Sequence, residues 1–306
     1  MKITKPIRIG TRASKLALWQ SQFVADELKK KYPDLKFELV KIQTTGDKVL
    51  DVMLSKLGGK GVFIKEIEVA LLKNKIDLAV HSLKDVPNEL GVEYKIAAVT
   101  KRADPFDAFV SNKFNSLAEL PHGAVVGTSS LRRAAQILNL YPHLRIENLR
   151  GNIDTRLKKL DAGNFDAIIL AAAGLERLGY SERIKQKLNE ILPAAGQGAL
   201  AIEIRSKDPK IEELVKSIND DETAKAVRVE RDFLRTIGGN CQTPVGVYAE
   251  IMDNKISILA AILALDGRST VKDYATAPIE DVATFGKTFA ERMLNKGGRE
   301  ILRYLT

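Results

Sequence analysis

Short β-rich segments alternate with segments of helical periodicity over the first two thirds of the chain. The clearest helical stripe lies near the N-terminus and consists of Leu16, Trp19, Phe23, Val24 and Leu28. Strands or extended segments are predicted at residues 7–9, 37–42, 77–80, 92–99, 106–110, 124–126, 145–148 and 167–170, and helices at residues 65–72, 132–140 and 153–162. This alternation predicts mostly parallel sheets with helices on both faces.

The pattern changes after a long helix predicted at residues 222–236. Strands are predicted at residues 245–250, 255–263 and 271–277, and a last helix at residues 281–294. Residues 101–105 and 193–198, which contain proline or glycine, are typical of linkers or hinges. The predicted fold class is therefore α/β, with two α/β halves and a small α+β domain at the C-terminus.

Two strand-to-helix junctions resemble each other. Residues 9–14 read Ile-Gly-Thr-Arg-Ala-Ser, and residues 126–130 read Val-Gly-Thr-Ser-Ser. Each places Gly, Thr and Ser where the free amides of a helix N-terminus can hold an anion, with Arg12, or Arg132 and Arg133, beside it. Two ordinary helix caps would explain the same residues. The pair favours two anion sites facing each other across a cleft, at the carboxyl ends of the strands.

Composition excludes several classes of protein. An apolar fraction of 45% with 28% charged residues is typical of a folded globular chain. The longest apolar run, residues 258–265, is far shorter than the roughly 20 residues of a membrane-spanning helix, so we expect no membrane association. The first ten residues lack the apolar segment of a secretory signal, which predicts a cytoplasmic protein. A single cysteine, Cys241, and three scattered histidines predict no internal disulfide and no metal site.

The charge balance is basic, with 48 Lys and Arg against 39 Asp and Glu and a formal net charge of +9. Such a surplus attracts anions, which include nucleic acids, phosphate esters and carboxylate-rich metabolites. No run of five basic residues occurs, and an aromatic fraction of 6% leaves few rings for base stacking. We therefore expect no nucleic-acid partner.

Polar residues follow the predicted strand at residues 77–80. Residues 81–87 read His-Ser-Leu-Lys-Asp-Val-Pro, and Pro87 prevents a regular helix from continuing there. A solvated turn with an aspartate cap would explain this cluster. Functional groups also gather at the carboxyl end of a strand, so a site is the alternative.

Arginines are dense at the junctions of the second half. Arg150 opens an Arg-Gly-Asn sequence, Arg156 follows it, and Arg177 ends the helix after Ala171. Each alone could pair with a local acid on the surface. Together they favour a carboxylate or phosphate binder, because a guanidinium group offers two parallel hydrogen bonds.

Cys241 lies in a loop that reads Ile-Gly-Gly-Asn-Cys-Gln-Thr-Pro at residues 237–244. A lone cysteine is often a small buried hydrophobe, but a loop bounded by glycines and proline favours a reactive or modified thiol equally well. His81 is a candidate base for this thiol, although no third member of a triad is indicated. Residues 58–61, Gly-Gly-Lys-Gly, lack the spacing of a phosphate-binding loop and are typical of a flexible lid.

These motifs, in this order and spacing, resemble the porphobilinogen deaminase family, also called hydroxymethylbilane synthases, over essentially the whole chain. The matching segments are Gly-Thr-Arg-Ala-Ser at residues 10–14, residues 81–87, Gly-Thr-Ser-Ser-Leu-Arg-Arg at residues 127–133, Arg-Gly-Asn at residues 150–152, residues 193–200 and the cysteine loop.

The resemblance implies a transferase that condenses four porphobilinogen molecules head to tail into linear hydroxymethylbilane and releases ammonia at each step. It implies a dipyrromethane cofactor joined by a thioether to Cys241, and a monomer. It also implies two α/β domains like those of periplasmic binding proteins around a cleft, with a third domain carrying the cofactor. The expected boundaries are 1–100 with 198–217, 101–197, and 218–306.

The resemblance also implies roles for individual residues. Asp85 matches the catalytic carboxylate that faces the reacting pyrrole, and residues 56–61 match the lid. The residues matching cofactor-binding positions are Cys241, Lys84, Ser82, Thr128, Ser129, Ser130, Arg132, Arg133 and Arg150. Those matching substrate-binding positions are Arg12, Ser14, Gln20, Arg150, Arg156 and Arg177.

The chemistry of these residue types agrees with the resemblance. Loss of ammonia from an aminomethylpyrrole leaves an electrophilic azafulvene, which a soft thiolate captures as a stable thioether. Each pyrrole carries an acetate and a propionate, so a growing chain needs dispersed arginines and helix N-termini. Asn240 departs from the family, which commonly has glycine before the cysteine; asparagine tolerates a left-handed backbone better than other side chains.

Two other functions use some of the same features. A periplasmic-type binding module would share the two α/β domains, but it needs neither Cys241 nor a third domain, and it normally carries a signal sequence. A nucleic-acid binder suits the positive charge but lacks a reading helix or aromatic platform.

Overall fold

The computed structural model describes residues 5–44, 64–240 and 243–303. The predicted lid at residues 56–61 and Cys241 lie outside the described residues. Contacts between residues divide the chain into two compact units, residues 1–102 with 199–224 and residues 103–198 with 225–306. This grouping combines the C-terminal elements with the middle of the chain, and the three-domain division stays a prediction.

The described elements follow the predicted alternation. The strands are β1 (Ile7–Thr11), β2 (Phe37–Lys41), β3 (Leu78–Ser82), β4 (Tyr94–Val99), β5 (Asp107–Val110), β6 (Val125–Gly127), β7 (Arg145–Glu147), β8 (Ala167–Ala171), β9 (Gln186–Leu188), β10 (Leu200–Arg205), β11 (Val245–Met252), β12 (Lys255–Leu263) and β13 (Thr270–Pro278). The α-helices are α1 (Lys15–Lys31), α2 (Lys65–Leu72), α3 (Leu131–Leu140), α4 (Ile153–Asp161), α5 (Ala172–Arg177), α6 (Pro209–Lys216), α7 (Asp221–Thr236), α8 (Val282–Met293) and α9 (Arg299–Arg303).

Each unit contains a five-stranded sheet built on the same plan. In the first unit the order is β2-β1-β3-β10-β4, with β1 parallel to β2 and β3, and β10 antiparallel to β3 and β4. In the second unit the order is β7-β6-β8-β5-β9, with β6 parallel to both neighbours and β5 antiparallel to both of its own. Predicted site residues follow the carboxyl ends of β1, β3, β6 and β7, and Arg177 ends α5, the helix after β8.

The α/β class is confirmed, but the prediction of mostly parallel sheets is wrong. Half of the pairings in each five-stranded sheet are antiparallel. Hydrophobic periodicity locates a strand without encoding its direction. The antiparallel strand β10 comes from a segment for which no strand is predicted, and it enters the first sheet far along the chain from β3 and β4.

Helix α1 shows why the N-terminal stripe folds as predicted. Ser14 caps the helix, because its hydroxyl accepts a hydrogen bond from the Ala17 amide at 3.3 Å. Val24 and Leu28 are fully buried in the core of the first sheet. Trp19, at the edge of the stripe, is exposed. The apolar face therefore fixes the start of α1 beside the end of β1.

The C-terminal elements form the predicted three-stranded meander, β11-β12-β13, which is antiparallel throughout. Helices α7 and α8 contribute to its core, where the rings of Phe233 and Phe289 lie 5.7 Å apart. This small α+β layer is confirmed, and it lies within the second unit.

Residues 193–198, which we call the 193–198 loop, are predicted as a linker but are largely buried. Glu230 of α7 accepts hydrogen bonds from the Gly196 amide at 2.7 Å and from the Ala249 amide of β11 at 2.9 Å. The Val247 amide donates to the Pro193 carbonyl at 2.9 Å. A buried backbone without regular structure needs such partners, so Glu230 fixes the loop against the C-terminal elements.

We predict that Glu230→Gln lowers the free energy of unfolding by about 1–3 kcal/mol, because the amide can accept only one of the two backbone hydrogen bonds and leaves a buried N–H without an acceptor. Denaturant unfolding measures this change. Glu291→Gln on α8, where the carboxylate is exposed, is the matched control and should cost at most about 0.5 kcal/mol. Equal midpoints for the two variants would contradict the role given to Glu230.

Candidate functional site

The polar residues predicted after β3 lie on a short anchored turn. Leu83 is buried, its amide donates to the Ala199 carbonyl at 3.0 Å, and residues Leu83–Asp85 form a single 3₁₀ turn. The turn ends before Pro87, as predicted. Lys84 is half-buried and Asp85 is exposed. The fold thus holds the Asp85 backbone firmly and leaves its carboxylate at the surface of the unit.

Two residues predicted from different segments meet beside this turn. Gln20 of α1 is buried, and its Nε2 donates a hydrogen bond to Ser82 Oγ at 2.9 Å. Arg12 and Ser14 lie on the turn between β1 and α1, where both are half-buried. The first unit therefore gathers Gln20 and Ser82 at one sheet end, and the Ser14 hydroxyl serves as the helix cap.

A buried acid–histidine pair lies under the same strand end. His81 Nε2 lies 2.9 Å from Glu203 Oε2, and Glu203 is 0% exposed. Burial, together with the charge of Glu203, raises the pKa of Glu68 above its usual range. Burial and the charges of Glu68 and Glu203 raise the pKa of Tyr94 to about 12. The contact with Glu203 engages Nε2 of His81 inside the first unit. The role of His81 as a base for Cys241 stays a prediction.

The three hydroxyl residues after β6 are held by local hydrogen bonds. Ser130 caps α3 by accepting from the Arg133 amide at 3.4 Å, and Thr128 Oγ1 accepts from the Ser130 amide at 3.2 Å. Ser129 Oγ donates to the Leu149 carbonyl at 2.8 Å. These bonds match the alternative of an ordinary cap, but each hydroxyl oxygen can accept a further hydrogen bond.

The Arg-Gly-Asn junction forms the start of α4. Asn152 caps the helix by accepting from the Thr155 amide at 2.9 Å. Gly151 has a φ of +113°, which a side chain adopts only with strain, and a Cβ there would lie 2.7 Å from the Thr155 methyl group. Arg156 Nε donates to the Gly151 carbonyl at 2.8 Å, and Arg150 is half-buried on the same turn. The junction therefore places Arg150 and Arg156 within one strand-to-helix turn and the helix that it opens.

Arg132 and Arg133 bind a carboxylate of the chain itself. Arg132 Nη1 donates to Asp107 Oδ2 at 2.7 Å and to the Leu192 carbonyl at 2.6 Å. Arg133 Nη2 donates to Asp107 Oδ1 at 2.7 Å, and its Nη1 donates to the Ile169 carbonyl at 3.0 Å. The two arginines are only 5% and 6% exposed, and Asp107 is 0% exposed.

The electrostatics of this cluster follow from burial and charge. Burial alone would raise the pKa of Asp107, but the two guanidinium groups outweigh it and hold that pKa well below its usual range. Burial lowers the pKa of Arg132, and the charge of Asp107 opposes this shift. Arg133 Nε is buried and has no hydrogen-bond partner among the described residues.

The 193–198 loop connects this cluster to Arg177. Gln197 Nε2 donates to Asp107 Oδ1 at 2.9 Å and to the Pro105 carbonyl at 2.7 Å. Arg177 Nη2 donates to the Gly198 carbonyl at 2.7 Å, and burial lowers the pKa of Arg177 to about 10. The loop thus contacts both Asp107, the partner of Arg132 and Arg133, and Arg177.

The sequence patterns did not single out Asp107 and Gln197 of the second unit or Glu203 of the first. A signal existed for Asp107, because a carboxylate begins the otherwise apolar strand Asp-Ala-Phe-Val. Glu203 likewise interrupts the apolar residues of β10. A charged residue in a buried strand requires a partner, but only the structure identifies it.

The described part of the chain contains neither a candidate membrane-spanning helix nor a candidate metal-binding cluster. No helix there is long and apolar enough to cross a membrane. No group of three or more His, Cys, Asp or Glu side chains within residues 5–44, 64–240 and 243–303 is placed to hold a metal ion.

Comparison with known proteins gives consistent matches. Residues 7–213 match the family model described as porphobilinogen deaminase, dipyromethane cofactor binding domain, and residues 224–295 match porphobilinogen deaminase, C-terminal domain. The porphobilinogen deaminase of Thiobacillus denitrificans is 48% identical over 298 residues, covering 97% of each chain. That of Pelobacter propionicus is 47% identical over 300 residues, covering 97% of this chain and 96% of the relative.

Solved structures of lower similarity include the methionine-binding protein MetQ. It is 17% identical with a TM-score of 0.46, and the match covers 72% of this chain and 92% of MetQ.

We predict that Arg133→Lys destabilises the protein more than Arg132→Lys. Arg133 divides its bonds between two nitrogens, so one ammonium group loses at least one buried acceptor, whereas Arg132 makes both bonds through Nη1. The expected difference in the free energy of unfolding is about 1–3 kcal/mol. Denaturant unfolding of the two variants measures it, and the opposite order would contradict the bonding pattern.

Proposed function

The chain belongs to the porphobilinogen deaminase family, the transferases that polymerise porphobilinogen into hydroxymethylbilane in tetrapyrrole biosynthesis, and we propose how its own residues perform this reaction. The observation that carries the proposal is the exposed Asp85 carboxylate on its anchored turn, beside the Gln20–Ser82 pair. Each condensation joins a porphobilinogen molecule to the growing chain and releases its amine as ammonia.

The donor set of this chain fits the family's dipyrromethane cofactor. A dipyrromethane carries acetate and propionate groups, which guanidinium N–H groups bind with charge-assisted hydrogen bonds. The buried Nε of Arg133, which has no partner among the described residues, is a donor suited to such a carboxylate. When bound, the cofactor supplies the pyrrole carbon to which substrate is added.

We assign the cofactor's carboxylates and rings to a set of cationic and hydroxyl residues, and its thioether to Cys241. The set is Lys84, Ser82, Thr128, Ser129, Ser130, Arg132, Arg133 and Arg150. The helix N-terminus at Ser130 adds a positive dipole end on which an anion is favoured.

Substrate carboxylates are assigned to a second set: Arg12, Ser14, Gln20, Arg150, Arg156 and Arg177. Arg150 belongs to both sets because the chain grows through the site. A guanidinium group has five N–H donors, so one arginine can bind an internal acceptor and a ligand carboxylate at the same time.

Asp85 acts on the reacting substrate. Loss of ammonia makes the porphobilinogen ring a cationic azafulvenium, and a carboxylate placed beside it stabilises the charge as it develops. The same carboxylate can then accept the proton released when the new bond forms. We propose that the enzyme acts as a monomer in the cytoplasm, with a lid at residues 56–61, two α/β domains around a cleft and a third domain that carries the cofactor.

The covalent cofactor gives the most direct test of this proposal. Protein purified from cells that make porphobilinogen should exceed its sequence mass by two linked pyrrole units, because a thioether survives denaturation. Cys241→Ser should abolish the excess, since an alcohol does not capture the electrophile as a thiolate does. Intact-mass spectrometry of both proteins measures this. An unmodified wild-type mass would favour a binding module instead.

Asp85→Asn should lower kcat by about 10²–10³-fold while changing KM little, because the carboxylate acts mainly in the transition state. Asp85→Glu keeps the charge one methylene away and should retain more activity than Asp85→Asn. Steady-state turnover with intact mass measures both variants. Glu89→Gln, an exposed carboxylate just beyond the turn, is the control and should leave turnover unchanged.

If Asp85→Asn turns over within a few-fold of wild type, Asp85 is not the catalytic carboxylate. Asp47 and Asp51 are then the next acids to substitute.

A further inference from the structure

Asp107 lies outside every set of residues assigned above, although it contacts two members of them. It begins β5 and is completely buried. Its Oδ2 accepts from Arg132, and its Oδ1 accepts from Arg133 and Gln197. One carboxylate therefore bridges two consecutive arginines of α3 and the 193–198 loop.

The charge of this cluster is not balanced by the chain. Two guanidinium groups face one carboxylate, and no other carboxylate among the described residues forms an ion pair with Arg132 or Arg133. The sum is one net positive charge in a buried setting. A buried charge of this kind is costly unless an anion meets it, so the cluster is suited to a single additional carboxylate.

The geometry restricts which guanidinium atoms that carboxylate can use. Arg132 makes its described bonds through Nη1, and Arg133 through Nη1 and Nη2. The Arg133 Nε–H is buried without a partner among the described residues. The hydrogen bonds to Asp107 thus fix the orientation of each guanidinium group. They determine which of its N–H groups are engaged within the chain and which can bind a ligand.

We propose that Asp107 is a positioning residue for cofactor capture, which holds Arg132 and Arg133 as a preassembled receptor for one pyrrole carboxylate. The inference rests on the proposed function. Without Asp107 the two like charges repel, their guanidinium groups lose the shared acceptor, and Gln197 loses one anchor of the 193–198 loop. Capture of the cofactor then has to bear the free-energy cost of ordering both side chains.

A merely structural Asp107 would give a different result. Its loss would lower stability, but every folded molecule would still carry the cofactor. The extent of covalent loading in folded protein therefore separates positioning from stability.

The test compares Asp107→Asn with Asp166→Asn, both made in cells that produce porphobilinogen. Asp166 supports the second sheet by accepting from the Val125 amide at 2.8 Å and touches neither arginine, so it is the matched structural control. Intact mass of the folded, purified fraction gives the loaded share. We expect Asp107→Asn to be loaded at least ~10-fold less than wild type and Asp166→Asn to be loaded fully.

A double variant shows whether Asp107 acts through its arginine. The loading rate is measured on unloaded protein incubated with porphobilinogen. If Asp107 works through its two arginines, then Asp107→Asn combined with Arg132→Gln loses less loading rate than the product of the two single losses, because the part of the Asp107 effect that acts through Arg132 is already absent. Losses that multiply across the two substitutions would overturn the proposal, as would full loading of folded Asp107→Asn.

Should Asp107→Asn fail to fold, Asp107→Glu carries the test, because it keeps the charge and displaces it by one methylene. Loading several-fold below wild type supports positioning, and full loading at the wild-type rate overturns it. A wild-type protein without any adduct would refute the proposed function itself, whereas loaded wild type with loaded Asp107 variants refutes only the role of Asp107.

Discussion

In the second unit, the positions of α3, β5 and the 193–198 loop depend on the free-energy cost of burying a charged group. A carboxylate removed from water is tolerated only where cations or donors replace its hydration, and Asp107 obtains both from Arg132, Arg133 and Gln197. Removing one partner from such a buried group typically costs about 3–5 kcal/mol. This cost fixes the first turn of α3 over β5, and it fixes the 193–198 loop beside them.

The cost of burial is compensated differently at three buried carboxylates. Asp107 is paired with two guanidinium groups, Glu203 contacts the ring of His81, and Glu230 accepts hydrogen bonds from two backbone amides. The first solution leaves net positive charge, the second leaves Glu203 Oε1 without a partner among the described residues, and the third satisfies both oxygens. Of these three, only the cationic cluster therefore has an electrostatic reason to attract a further anion, as the cofactor-binding role proposed for its arginines requires.

Local features of the fold could be predicted from the sequence, and long-range pairings could not. The helix Lys65–Leu72 and the strand Lys255–Leu263 begin and end at the predicted residues, because apolar periodicity and breakers are local signals. The direction of β10 could not be predicted, because it depends on strands more than a hundred residues away. The same is true of the candidate site. The strand-to-helix motif and the family resemblance both indicated Arg132 and Arg133, whereas their contact with Asp107 depends on the folding of distant segments.

The two kinds of predicted functional group sit in opposite environments, and electrostatics explains why. The arginines of α3 are buried, which strengthens their attraction for a ligand carboxylate because the effective dielectric constant there is lower than in water. Asp85 is exposed on a turn whose buried residue is Leu83, so water can hydrate its carboxylate; in the proposed reaction the substrate ring displaces that water. A buried carboxylate is costly to keep ionised, and its neutral form cannot stabilise a cation. In the proposed reaction the buried arginines attract the carboxylates of the substrate, and the exposed Asp85 carboxylate is available when positive charge develops on the ring.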